Sequence, residues 1–384
     1  MKKVFIGGPS GEAFTYKETL LPIENPDLLD WLDKQDVYPK FYWEDREGKR
    51  KIAAAGKILE VFGVPEITGD EGIFFYGVAS KSAWEGFPSS YFFLPLYEVR
   101  DNYLIIRELK EQNKAQAKQG KEKGKAVSQR KDIPSYKDWE LSIQAALEAF
   151  DAGLLEKVVL ARKVSFKTQN TFSPFDLLKN LKSSASTRFI FALEEGKSFM
   201  GATPEMLYSK ENNHIRTEAL AATAKDEKLL AQEKEMLEFS FVSQFLENAL
   251  AKICTSLEKS APSILHTGAL YHKILKLKGV LKNSLSDQAL IDLLHPTPAI
   301  GGYPKEAALD FLSFHEPFER GWYAAPIGFV GSSSSEFFIA IRSCLIEEGR
   351  LHLFSGAGIV KGSDAQKEWE ELEDKISLFT KVLT

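Results

Sequence analysis

Residues 155–162 read Leu155-Glu156-Lys157-Val158-Val159-Leu160-Ala161-Arg162, and the apolar character continues to Phe166. The stretch is short, rich in β-branched residues and bounded upstream by Gly153, which predicts a strand rather than a helix. Alternation then places Lys157, Val159 and Ala161 on one side and Val158, Leu160 and Arg162 on the other. A lysine is thereby committed to an apolar strand. Upstream, Pro134-Ser135 predicts the start of a helix, with Trp139, Ile143, Ala146 and Phe150 on one apolar face and an end near Gly153. Downstream, strands are predicted at Phe189–Leu193, Ser198–Ala202, Phe337–Ile346 and Arg350–Phe354, and long helices around Lys228–Ile253 and Asp364–Leu383. Strands and helices do not alternate as a βαβ series and no internal repeat is present, so the fold class is α+β with substantial sheet.

The N-terminal residues, to about 105, mix short aromatic and β-branched runs with Gly and Pro punctuation, for instance Gly72–Gly77 and Tyr91–Tyr97. These predict strands joined by turns. Residues 108–131 are rich in Lys, Gln and Gly with almost no large apolar side chain, which predicts an exposed loop or frayed helix. An arm for RNA or lipid is the alternative, but Glu108, Glu111 and Glu122 dilute its charge.

The 384 residues are 44% apolar and 27% charged, enough for a large core. A net charge of -5 gives no overall attraction to nucleic acid or to an anionic membrane. Cys254 and Cys344 stand alone, so neither a zinc cluster nor a disulfide framework is expected and a reducing compartment fits. The N-terminus is interrupted at Gly7-Gly8-Pro9-Ser10, too early for a signal segment, and no apolar run is long enough to span a bilayer. The expectation is a cytoplasmic protein with no membrane, nucleic-acid or obligatory protein partner.

Four segments carry a resemblance. They are Leu155–Arg162; Gly201-Ala-Thr-Pro-Glu-Met-Leu207 followed by Arg216-Thr-Glu-Ala-Leu-Ala-Ala-Thr223; Leu294-His-Pro-Thr-Pro-Ala-Ile-Gly-Gly302; and Phe354-Ser-Gly-Ala-Gly-Ile-Val360 leading to Glu368-Trp-Glu-Glu371. In this order they resemble the chorismate-utilising enzymes, which include isochorismate synthases, salicylate synthases, anthranilate synthase large subunits and aminodeoxychorismate synthases. The resemblance implies one large anthranilate-synthase-like unit of two packed antiparallel β-sheets flanked by helices. Residues 136–384 would be the chorismate-binding catalytic region, and residues 1–135 the variable part of the same unit.

Chorismate has two carboxylates, a ring hydroxyl that leaves and a diene through which a nucleophile displaces it. The chemistry needs an anion clamp, a metal, a base and an acid. The resemblance assigns Mg2+ to Glu238 and Glu371, with Glu368 in support; magnesium is a hard cation that accepts one or two carboxylates and keeps waters. Without that context these would read as solvated helix faces. Ser363 and Gln366 are placed for a capping box at the start of the last helix, which would bear Glu368, Glu371 and Lys375 on one side. The Ser355-Gly-Ala-Gly358 stretch reads as a turn after a strand, with Gly356 and Gly358 letting backbone N–H groups approach a carboxylate. Arg342 can bind a carboxylate through two parallel hydrogen bonds, and Lys375 adds a point charge. Lys157 matches the base of the isochorismate synthases, where anthranilate synthases have glutamine; burial would lower its pKa so that it can deprotonate water. Glu205 matches the general acid, which must keep its proton near neutrality. His295, Thr223 and Ala222 match substrate-binding positions. Ala222 and Ala325 stand where the family usually has glycine, and their methyls would crowd a backbone contact.

The implied reaction is a Mg-dependent isomerisation of chorismate to isochorismate, adding water at ring C2 and losing the C4 hydroxyl. Arg216–Leu220 is closer to the menaquinone type than to the siderophore type. Salicylate synthase, which also eliminates pyruvate, is the nearest alternative, and a non-catalytic scaffold of the same fold is the alternative from another class.

Overall fold

The strand carrying Lys157 runs from Lys157 to Thr168 and pairs antiparallel along its length with Arg350–Val360, Lys157 opposite Val360 and Val159 opposite Gly358. Its other edge is shared. Gly302–Tyr303 covers Lys157 and Val158, and Val127–Ile133 takes over from Lys163. These elements belong to a computed structural model that describes residues 1–7, 11–24, 26–109, 127–168, 173–181, 185–268, 270–347 and 349–383. Among the described residues every strand pairing is antiparallel, and the pairings link into one continuous network.

Side-chain alternation explains how one network makes two layers. In Lys40–Glu44, Phe41 and Trp43 enter the largest core while Tyr42 between them enters another. Trp43 meets Phe338 edge-on at 5.3 Å, although their strands share no hydrogen bonds, so sheet packs on sheet there. The expected pair of packed antiparallel layers is thus a single sheet folded over an aromatic core. Strands from residues 1–109 are woven into it: Lys40–Glu44 pairs with Thr187–Glu194, and Phe74–Ala79 with Pro326–Gly331.

The outer faces are covered by helices α1 (Leu28–Asp33), α2 (Tyr136–Asp151), α3 (Pro174–Asn180), α4 (Glu233–Ile253), α5 (Asp287–Leu294), α6 (Lys305–His315) and α7 (Ala365–Leu383). Trp139 and Ile143 of α2, Leu312 of α6 and Leu372 of α7 bury Val158, Leu160, Ala357 and Ile359. Because Val158 and Leu160 face these helices, Lys157 and Val159 must face the opposite way. The helix predicted after Ser135 forms as read, the Ser135 hydroxyl accepting from Asp138 N.

Four expectations change. The single strand read over Phe337–Ile346 is two, Ser334–Ile339 and Ser343–Glu347, broken where Arg342 takes a left-handed φ of 50°. The Ser355–Gly358 stretch is no turn, because the strand continues through both glycines to Val360. The cap of α7 is Asp364, whose Oδ1 accepts from Lys367 N at 3.0 Å, while the Ser363 hydroxyl accepts from Val360 N and Gln366 reaches only Glu370. Of the Lys-rich segment, 110–126 lies outside the described residues, and from Val127 the chain is strand, not loop.

Replacing Asp364 with alanine removes the acceptor at the N-terminus of α7 and should cost about 1 kcal/mol of stability by denaturant titration. Gln366→Ala should change the same midpoint by less than about 0.5 kcal/mol, as expected of an exposed surface substitution. The opposite ranking would restore the Ser363–Gln366 box.

Candidate active site

Burial of Lys157 sets the site. The side chain is 0% exposed, and its Nζ donates to Glu238 Oε1 from α4 at 3.1 Å. The opposing strand makes room. A Cβ on Gly358 would overlap Glu238 Oε1 and come within 3.2 Å of Lys157 Cε, so glycine is required by close approach rather than by a turn. Burial pushes the Lys157 ammonium below the ordinary lysine range, helped by Lys375, against the pull of Glu238 and Glu205. Burial would raise Glu238, but Lys157, Lys234 and Lys375 outweigh it and hold the carboxylate ionised.

Glu205 has the reverse fate. Its backbone is fixed by Thr203, whose hydroxyl donates to Ile339 O and accepts from Glu205 N, and by Ile339 N donating to Glu205 O. Among the described residues no cation touches the carboxyl. Burial therefore raises it to about 8, over the weaker opposing fields of Lys157, Lys375 and Arg46. One cleft holds Glu205, Ala222, Thr223, Glu238, Arg342, Gly356, Gly358 and Lys375 along its walls, with Lys157 beneath Gly358.

Arg342 is held in the cleft by the strand break and, among the described residues, makes no ion pair or side-chain hydrogen bond; burial lowers it to about 10, opposed by Glu371 and Tyr323. Lys375 donates to Gly356 O at 2.7 Å and pairs with Glu371 at 2.5 Å. A cation without a counter-ion and a second one beside a glycine strand make an anion clamp. The Ser355 hydroxyl in the same wall is buried without a hydrogen-bond partner.

The three carboxylates expected at the metal lie on two helices, Glu238 on α4 and Glu368 and Glu371 on α7. Each has a lysine partner: Lys157, Lys234 and Lys375 respectively. Glu368 is raised to about 7 by burial and by repulsion from Glu371, and its Oε2 is buried without a partner. Among the described residues no three His, Cys, Asp or Glu side chains are gathered as a metal cluster. An all-oxygen set with an orphaned carboxylate oxygen fits a hard cation that takes one or two protein carboxylates.

His295 is placed elsewhere. Its ring opens on an adjacent cavity of about 340 Å³ that shares Ile300, Arg320, Tyr323 and Ala324 with the cleft. Burial, with Lys305, Lys81 and Arg320, lowers it to about 3, so it stays neutral. Sequence reasoning missed His272, which lines the cleft with Nδ1 3.0 Å from Thr223 Oγ1 and Nε2 2.9 Å from Thr267 Oγ1. Burial, then Arg342 and Lys375, holds it neutral as well. Its only sequence signal is an inward position in an alternating strand. Ala222 has φ 60°, the left-handed region glycine favours, whereas in Tyr323-Ala-Ala the left-handed residue is Ala324, φ 61°, rather than Ala325.

The family model for chorismate binding enzymes matches residues 70–384. The chain belongs to this family. It is 30% identical to the isochorismate synthase MenF of Haemophilus influenzae over 93% of this chain and 90% of that protein. It is 38% identical to the Bacillus subtilis isochorismate synthase MenF over 62% of this chain, an alignment that spans only 54% of the Bacillus protein. The solved structure of MenF, the menaquinone-specific isochorismate synthase from Escherichia coli, superposes with a TM-score of 0.85 at 25% identity, covering 100% of this chain and 96% of that one.

A buried carboxyl that keeps its proton to about pH 8 in the fold but loses it near 4.5 when unfolded costs no stability below pH 4.5 and progressively more as pH rises toward 8. Glu205→Gln should therefore melt higher than the parent at pH 8 and about level with it at pH 4.5. A constant difference across that window would place Glu205 in a solvated site.

Proposed function

We propose that the chain is an isochorismate synthase, converting chorismate to isochorismate. The observation that carries this reading is the pairing of a desolvated amine, Lys157, with a proton-retaining carboxyl, Glu205, in one cleft beside Arg342 and Lys375. Arg342 and Lys375 hold the substrate's carboxylates, and the neutral chain Thr223–His272–Thr267 supplies a fixed polar wall. Lys157 in its amine form takes a proton from water as the water oxygen bonds to ring C2. The double bonds shift, the C4–O bond breaks and Glu205 gives its proton to the departing oxygen. One water enters and one leaves, so the reaction is an isomerisation.

The metal is proposed as Mg2+, with Glu238 and Glu371 as ligands and Glu368 in support. Bound there, it would supply positive charge to a substrate carboxylate. We place the enzyme in the cytoplasm and in menaquinone synthesis, supported by the character of Arg216–Leu220 and by likeness to MenF proteins. In the described residues no helix is long and apolar enough to cross a membrane. Residues 1–135 are proposed as the variable part of the catalytic unit.

Purified protein incubated with chorismate and magnesium should yield isochorismate; salicylate with pyruvate would identify the lyase, and no turnover a scaffold. Lys157→Gln should abolish the reaction while leaving chorismate binding. Glu205→Gln should lower forward rate roughly a hundredfold or more, and parental activity should fall as pH rises through about 8, where the acid ionises. A Glu205→Gln enzyme at full rate would move the acid elsewhere.

Glu371→Gln should raise the magnesium concentration needed for half-maximal rate and weaken magnesium binding by calorimetry, since one of few available carboxylates is lost. An unchanged titration would transfer the role to Glu368.

A further inference from the structure

The edge of the Lys157 strand has a gap. Gly302–Tyr303 pairs with Lys157 and Val158, and Val127–Ile133 begins at Lys163, so residues 159–162 have, among the described residues, no neighbouring strand on that side. The backbone groups of Val159 and Ala161 that point into the gap still need partners. Val159 N finds Gly301 O at 2.8 Å. Two more are met by side chains. Ala161 N donates to Glu316 Oε1 at 2.9 Å, and Arg320 Nη2 donates to Val159 O at 2.7 Å.

The two side chains are locked to each other. Arg320 Nε donates to Glu316 Oε2 at 2.7 Å and Nη2 to Glu316 Oε1 at 2.6 Å, the two-pronged geometry of the strongest side-chain pairs. The remaining nitrogen, Nη1, donates to Ile300 O at 2.8 Å, and Arg320 O accepts from Tyr323 N. The pair thus joins three pieces of the cleft: the Lys157 strand, the loop carrying Ala299 and Ile300, and the segment carrying Tyr323 and Ala324.

We propose that Glu316 and Arg320 are positioning residues that replace the missing strand and fix Lys157 relative to the opposite wall of the cleft. This rests on the reading of Lys157 as the base. A buried ion pair is by itself weak support for stability, since apolar side chains of similar shape commonly serve as well. Apolar groups could not close this edge, because the pair makes three hydrogen bonds to backbone groups at Val159, Ala161 and Ile300. Val159 lies two residues from Lys157, and displacement of a reacting group by about 1 Å can cost on the order of a hundredfold in rate.

Arg320→Lys tests the idea, because lysine keeps the charge beside Glu316 but lacks the fork that reaches Val159 and Ile300 together. The folded variant should lose about tenfold or more in kcat with KM for chorismate within about twofold. Its Val159 and Ala161 amides should exchange at least tenfold faster than in the parent by residue-resolved hydrogen–deuterium exchange. Glu316→Gln added to Arg320→Lys should lower kcat by much less than it does alone, because both act through one clamp. A folded Arg320→Lys enzyme with kcat within twofold of the parent, or with parental exchange at both amides, overturns the proposal. The parent protein is a second test that needs no variant: its Ala161 amide should be as protected as those of Val158 and Leu160, and exchange at loop rates would show that no clamp exists. If the parent does not convert chorismate, the functional reading fails, and amide protection still decides whether the clamp exists.

Discussion

An ammonium group inside a sheet is the constraint from which the rest of the site follows. Removing a charge from water costs several kcal/mol even after relaxation, so Lys157 can stay buried only with a matched partner or without its proton. The fold supplies a partner, while burial lowers the ammonium's pKa. Glu238 from α4 reaches the ammonium through space that a side chain on Gly358, opposite Val159, would occupy. The glycine and the helix that brings the carboxylate both answer to one lysine on one strand.

Two glutamates a short distance from that lysine show how environment assigns roles. Glu238 touches Lys157 and lies in the fields of Lys234 and Lys375, so it remains an anion able to hold a cation. Glu205 is as enclosed but has no cation in contact, so it remains an acid. Identical side chains are driven apart in pKa, one kept as an anion and the other kept protonated, within a single cleft. Arg342 completes it with a positive charge that the fold leaves for a ligand to balance.

The elements around Lys157 were legible in the sequence because they depend on local periodicity, whereas Glu205 and Glu238 were found through the resemblance. Alternation in residues 155–166 marked the strand and the side on which Lys157 would point, and Ser135 marked the helix before it. Failures arose where tertiary packing overrode local signals. Ser355-Gly-Ala-Gly358 has the composition of a turn, yet its glycines serve close approach within a strand, where Tyr323 OH and Glu238 occupy the space a Cβ would take. The break at Arg342 has no glycine or proline to announce it, because the cleft rather than the local sequence holds that backbone. His272 and the Glu316–Arg320 pair acquire meaning only when distant segments meet.

The left-handed residues around the cleft connect fold and function most directly. Ala222, Ala324 and Arg342 all have φ between 50° and 61°, and all line the same cleft. Such conformations cost non-glycine residues about 1 kcal/mol or more each and persist only where the surroundings determine them. For Arg342 the strain aims a guanidinium inward. For Ala222, where the family usually has glycine, glycine would relieve it, but glycine also gains more freedom in the unfolded chain, by roughly 0.5–1 kcal/mol relative to alanine. The two effects are similar in size, so alanine at this position is compatible with the fold. Its methyl group adds bulk to the cleft wall without altering the charges there, which places this departure from the family pattern in shape rather than in chemistry.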